Sequence, residues 1–340
     1  MDFKPILESS YREILRRYIN ESSEAALYQG QMFSRKSIKQ QVSPEEIISI
    51  HCKALKDLFP DISEDILASF DFLIEFMMNY GLAYQEYQSL RDKQFELKSE
   101  IEIAASIQET LLETPIPKLE EVDIGAISIP AKKINGDFYR FVEDENSIGI
   151  AIADVIGKGI PAALCMSMIK YAMDSLPNSR NEPNDVLSNL NKVVESNVDS
   201  SMFITMFYGI YDFITHTFTY AAAGHEQGFY YHASSQSFED LITRGMVLGV
   251  EPNITYEQFE KKVHPGDIIV LLSDGVTESR MKNGFIERSV ITDLIQTFMH
   301  LSAQEMVENI YRQIERLQNF EIRDDFTLII LKRIKSRTNR

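Results

Sequence analysis

From the start of the chain to about residue 112, apolar residues recur at spacings of three and four and glycine is rare, which predicts helices throughout. Ser43-Pro44-Glu45-Glu46 has the form of a capping box with proline at the first helical position, so a helix is expected to begin there. Another helix starts at Ser63, and Ile66, Phe70, Leu73, Ile74, Met77, Gly81 and Tyr84 mark the face it should bury. The helical text runs on through Leu90, Gln94, Leu97, Ile101, Ala104, Gln108 and Leu111, at alternating spacings of four and three. Such a seam suits a dimeric or inter-domain helix as well as a plain surface helix, and two glutamines within it weaken a coiled-coil reading. Pro115 and Pro117 end it.

Beyond residue 121 the period changes from helical to alternating or continuously apolar. Strands are expected at VDIGAISIPA, GDFYRFVED, SIGIAIADV, MFITMFYGIYD, HTFTYAAAG, QGFYYH, DIIVLLSDG and DFTLIILKR. Two amphipathic helices fall at roughly 160–176 and 183–198, and another pair precedes residue 318. This order predicts an α+β domain in which a β-sandwich carries its helices outside, preceded by an all-α helical bundle and a linker helix. The expected boundaries are 1–84 for the helical domain, 85–117 for the linker helix and 118–340 for the β-rich domain.

Composition narrows the partners. The chain of 340 residues carries a net charge of −17, spread along its length: residues 1–112 hold 12 Lys+Arg against 19 Asp+Glu. Nucleic acid is therefore not an expected partner of either part. Neither cysteine, Cys52 nor Cys165, reads as half of a disulfide, since both sit in apolar helical patterns. The amino-terminal residues lack an uninterrupted apolar signal region, and no continuous run of about 18 apolar residues occurs, so a cytoplasmic protein without a membrane partner is expected.

The chemistry lies in the acids. DVIGKG at 154–159 superficially suggests a phosphate-binding loop, but Lys158 is followed by Gly159 rather than Ser or Thr and no glycine lies five residues before Gly157. What remains to be explained is Asp154, at the end of an apolar strand. Asp137 in NGDFY, Asp274 in LLSDGVTE, and Asp324 and Asp325 in RDDFTLIIL recur in the same setting, beside glycine or another acid. One Asp-Gly pair is ordinarily a turn. Carboxylates gathered repeatedly at strand ends repel one another unless cations lie between them, and hard oxygen ligands suit magnesium or manganese.

The ordered set GDFY, DVIGKG, AAAGHE, SDGVTE and DDFT resembles the bacterial branch of the metal-dependent protein phosphatases, the protein phosphatase 2C family, over residues 118–333. With FSRK, SPEEIISIH, IEIAASIQ and IADVIGKGIPAALCMSMIKYAMDSLP, the resemblance extends over essentially the whole chain to environmental-stress phosphatases of Bacillus-type bacteria. It implies two stacked five-stranded sheets with flanking helices, and an N-terminal four-helix domain that forms a homodimer and receives a kinase-like activator protein. The implied substrate is a phosphorylated anti-sigma-factor antagonist, whose dephosphorylation frees the general stress sigma factor.

The resemblance also assigns a site. Asp154 is implied as the acid shared by two divalent cations, manganese or magnesium, with the Val155 carbonyl as a backbone ligand. Asp274 and Asp324 would hold one ion and Asp137 the other, directly or through water, and a metal-bridging water would be the nucleophile, so that no side chain attacks phosphorus. Asp325 stands where many relatives have asparagine, and which of Asp324 and Asp325 ligates stays open. Eukaryotic members place a histidine two residues after the shared acid as candidate general acid; here that residue is Ile156, leaving His225 in AAAGHE as the alternative, although a histidine in a glycine-histidine turn after a strand is more often structural. Lys158 could touch phosphate, but a lysine at a helix start reads first as a surface residue, and His51, alone on a helical face, reads as packing. Two other readings fit the same acids: a non-catalytic signalling scaffold with a phosphatase-like fold, and a small-molecule metal phosphatase.

Overall fold

The computed structural model describes residues 3–157, 159–175, 182–199, 202–281, 284–318, 320 and 322–334. The chain divides into two compact units, Met1–Lys98 and Ser99–Arg340.

The first unit is helical. It contains α1 (Phe3–Glu21), α2 (Glu24–Lys39), α3 (Pro44–Leu58) and the first part of α4 (Glu64–Leu112), a single helix of 49 residues. Leu7, Ala26, Ile50, Cys52 and Ala54 are buried between the short helices. The ring of His51 packs against Phe70 and Tyr11, whose hydroxyl lies 3.0 Å from its Nδ1, so this histidine has the packing role expected of it. α3 begins after Ser43, but the serine hydroxyl makes no bond to the helix and the expected capping box is not formed; Ile47 N–H instead donates to the Ser43 carbonyl. Along α4, Phe70, Ile74, Met77 and Gly81 are half-buried whereas Ile66, Leu73 and Tyr84 are exposed, so the buried face is narrower than the pattern implies. Part of α4 is apolar enough, by length and composition alone, to pass as a membrane span, although Asp71 and Glu75 interrupt it.

The second unit is a β-sandwich. One antiparallel sheet has the order β1 (Val122–Ile129), β12 (Phe326–Arg333), β9 (Ile268–Leu272), β6 (Phe229–His232), β7 (Ser237–Asp240). The other has the order β2 (Asp137–Glu143), β3 (Ser147–Val155), β4 (Ile204–Asp212), β5 (Thr217–Ala223), β8 (Gln258–Lys262). The alternation of β3 shows why they stack. Ile148, Ile150 and Ile152 enter the core between the sheets, with Phe207, Tyr220, Leu271 and Ile329. Ala151, Ala153 and Val155 point the other way, beneath α5 (Ile160–Ser175) and α6 (Pro183–Asn197), where small side chains let Met166, Ile169, Leu187 and Val194 approach. A strand buried on both faces reads as a continuous apolar run, as this one does. On the opposite side, α8 (Arg288–Phe298) and α9 (Ala303–Leu317) cover Phe229, Val270, Leu328 and Ile330. A short ribbon of β10 (Arg280–Met281) and β11 (Gly284–Phe285) and a one-turn helix α7 (Asp274–Thr277) complete the unit.

Candidate metal centre

The acids meet because the two sheets end together. Asp137 opens β2 and Asp154 lies near the end of β3, directly opposite each other in the antiparallel ladder. In the other sheet β9 and β12 are neighbours. Asp274, the first residue of α7, therefore lies beside Asp324 and Asp325, which lead into β12. Ser273 fixes that junction: its N–H donates to the Thr327 carbonyl at 3.0 Å, its hydroxyl to the Asp325 carbonyl at 3.2 Å, and the Thr327 N–H to its hydroxyl at 3.0 Å.

Asp325 then joins one sheet to the other. Its carboxylate accepts from the Ala131 N–H at 2.7 Å and from the Gly136 N–H at 2.5 Å, while the Gly136 carbonyl accepts from the Val155 N–H at 3.1 Å. Gly136 leaves a space that a methyl group would fill. A Cβ there would stand 3.0 Å from Asp325 Oδ2, 3.5 Å from Asp154 Oδ1 and 3.6 Å from the Val155 carbonyl oxygen. Two carboxylates and one backbone carbonyl thus converge on one small volume. Gly275 is needed more strictly, since a Cβ there would come within 2.0 Å of the Asp325 carbonyl oxygen.

The electrostatics of the cluster are those of crowded, buried acids. Asp137 is 2% exposed and its Oδ2 has no hydrogen-bond partner. Burial, and then the charge of Asp154, push its carboxyl well above the usual range, against the hydroxyls of Ser273 and Thr327. Asp274 is pushed up to about 6 by burial, with Asp324 and Glu278 adding repulsion. A buried, unpartnered carboxylate oxygen is costly unless something cationic reaches it. The donors are hard oxygens without sulfur or imidazole, a set that fits magnesium or manganese. Among the described residues, no three acidic, histidine or cysteine side chains stand close enough to form a finished cage.

Asp154, Val155, Asp274, Asp324 and Asp325 line one cleft of about 920 Å³, together with Gly136, Ile101, Lys132 and Arg323. Asp137 lies behind it, in the wall of a neighbouring cleft of about 880 Å³. A larger groove of about 1070 Å³, lined by Lys118, Tyr231 and Lys332, contains none of these acids. His225 is not brought into the cleft. It is buried, its Nδ1 lies 2.9 Å from Thr205 Oγ1, its Nε2 has no hydrogen-bond partner, and burial pushes the imidazole down to about 4. Thr205 pairs with Asp154 across the sheet, which places His225 behind the site, in contact with the strand that carries Asp154's neighbour. Lys158 lies outside the described residues. Sequence reasoning missed Ser273, Thr327 and Asn135, whose hydroxyl and amide groups orient the acids, and it read Gln108 only as a seam position.

Two stacked five-stranded antiparallel sheets with acids gathered at one end define a protein phosphatase 2C-like domain. Comparison with known proteins agrees. The family model for stage II sporulation protein E matches residues 144–334, and that for the N-terminal domain of the phosphoserine phosphatase RsbU matches residues 9–83. The chain is 60% identical to the phosphoserine phosphatase RsbU of Bacillus subtilis over 98% of its own length and 99% of that protein's. Among solved structures, the SiaA phosphatase domain of Pseudomonas aeruginosa superimposes with a TM-score of 0.60 at 19% identity, over 72% of this chain and 99% of that one. The phosphatase domain of Bacillus subtilis SpoIIE with a fragment of its regulatory domain gives 0.56 at 16% identity, over 64% of each chain. The chain belongs to the RsbU family of phosphoserine phosphatases, and its activity is that of a protein-serine/threonine phosphatase.

Proposed function

We propose that Asp137, Asp154, the Val155 carbonyl, Asp274 and Asp324 hold two divalent cations, manganese or magnesium, and that Asp325 orients the site through its bonds to Ala131 and Gly136. The observation that carries this reading is the orphaned, buried Oδ2 of Asp137 beside the carboxylates that converge on Gly136. When bound, such ions supply a nucleophile from water at neutral pH and neutralise the phosphoryl oxygens. The protein's own part is positional: the acids hold fixed negative charge at the floor of the cleft, and Lys132 and Arg323 in its lining add positive charge where a phosphoserine phosphate enters. Family membership as a phosphoserine phosphatase displaces the scaffold reading.

The substrate in this reading is a phosphorylated anti-sigma-factor antagonist of the RsbV type, and the activator a kinase-like protein of the RsbT type bound by the N-terminal helices. Residues 1–84 serve regulation and dimerisation, 85–117 the linker and 118–340 catalysis. Leu90 and Leu97, 61% and 60% exposed, form an unpartnered apolar stripe that suits a second copy or an activator. Ile101 borders the cleft itself, so Leu97→Glu is the cleaner probe of that stripe. Hydrolysis of the phosphorylated antagonist should be stimulated by the activator in the wild type and much less so in Leu97→Glu, with basal manganese-supported turnover retained. Equal stimulation of both, with unchanged sedimentation, would refute a control route through this stripe.

A further inference from the structure

Of the 49 residues of α4, Gln108 is the one whose side chain is buried, at 4% exposure. A polar residue in that place must be satisfied by hydrogen bonds. Its Nε2 donates to the Asn135 carbonyl at 2.7 Å and its Oε1 accepts from the Asn135 N–H at 3.0 Å, so the side-chain amide pairs with one backbone residue as a strand neighbour would. Asn135 passes the restraint on. Its Oδ1 accepts from the Asp137 N–H at 3.0 Å and its Nδ2 donates to Ser128 Oγ at 2.9 Å, which in turn lies 2.8 Å from Thr327 Oγ1. The next residue, Gly136, is held by Asp325 and Val155. Among the described residues, the backbone of Asn135 has no hydrogen bonds besides those from Gln108.

We infer that Gln108 is a positioning residue for the metal centre: its amide clamps Asn135 and thereby sets where Asp137 and Gly136 present their oxygens and space to a cation. This rests on the metal reading of the site above and adds the element that sets the site's geometry. The final turns of α4 reach one wall of the centre through this buried side chain, flanked by an exposed Glu102–Lys133 ion pair at 3.5 Å, and a shift of the helix along its axis breaks both amide bonds together. Outer contacts that orient metal ligands typically govern about 10–100-fold in metal affinity.

The test uses the full chain and manganese alone, titrated by calorimetry into wild type, Gln108→Met and Asp154→Asn. Gln108→Met keeps the length and removes both hydrogen bonds; Gln108→Asn, which keeps the amide but is too short to span both groups, serves if the first fails to fold. The expected result is a manganese Kd raised about 10–100-fold in the Gln108 variants, with kcat recovered at saturating manganese and KM for a phosphoserine peptide unchanged. A structural pin alone would lower the melting temperature while leaving Kd within twofold of wild type, and that result overturns the positioning role. Were the wild type itself to bind no manganese, the metal reading and this role would fall together; binding by the wild type that Asp154→Asn abolishes and Gln108→Met leaves intact would sink only the role of Gln108.

Discussion

Gly275→Ala isolates the contact that brings the two acid-bearing loops of one sheet together. The Cβ would sit 2.0 Å from the Asp325 carbonyl oxygen and 2.9 Å from its carbon, both backbone atoms. Restoring ordinary contact at 3.4 Å requires an opening of about 1.4 Å between α7 and the segment leading into β12. That segment is tied to Ser273 by three hydrogen bonds and cannot swing aside as a side chain would. Overpacking of this kind costs about 1–3 kcal/mol, which at about 2–4 °C per kcal/mol for a domain of this size lowers the melting temperature by roughly 2–12 °C. Displacing Asp274 from Asp324 by about an ångström is expected to reduce turnover by on the order of 100-fold. Thermal melting and manganese-supported hydrolysis of a phosphoserine peptide, measured on one preparation, read both effects. Turnover within threefold of wild type at an unchanged melting temperature would refute the wedge and the placement of the two loops with it.

Gly30→Ala is the matching control, since nothing lies within 4 Å of its Cβ position in α2; stability should rise by up to about 1 kcal/mol with activity unchanged, and a fall in melting temperature would contradict the helix assignment. Asp274 has a folded-state pKa raised to about 6, so its contribution to the stability of the metal-free chain is present below about pH 4 and lost as pH rises through 6. Asp274→Asn should therefore melt close to wild type at pH 4 and progressively above it toward pH 7.5; a gap that does not widen with pH would rule out the crowded-acid description. Because protons must leave these acids before a cation binds, manganese affinity should increase with pH between about 5 and 7, as read by calorimetry. Manganese at about 100 times its Kd should stabilise the fold by about 2.7 kcal/mol, and a melting curve indifferent to it would count against a formed site.

What the sequence disclosed and what it withheld follow from the range of the interactions. β3 is legible because a strand buried on both faces must be apolar along its run, here from Ile148 to Ala153, before Asp154 interrupts it. β7 and β8 are edge strands whose exposed positions carry Asp240, Glu260 and Lys262, so no apolar run marks them. The acids stand out because Asp beside glycine or another acid recurs at successive strand ends. Their supports do not: Asp325 and the Gly136 N–H are 189 positions apart, and nothing local to either predicts the bond. Gln108 is the instructive misreading. At its helical spacing it is a polar interruption of a seam, and only the fold shows that its amide faces Asn135, 27 positions on.

The central claim, that acids at the ends of two sheets hold the cations on which phosphoserine hydrolysis depends, is tested most directly by Asp154→Asn. Its side chain lies opposite Asp137 and borders the space left by Gly136. Manganese titration calorimetry and hydrolysis of a phosphoserine peptide should be run on the same preparations of wild type and variant. Saturable manganese binding by the wild type, with binding and turnover both lost in a variant that melts no lower than the metal-free wild type, is the expected result. An Asp154→Asn chain that binds manganese and hydrolyses the peptide as the wild type does would contradict it.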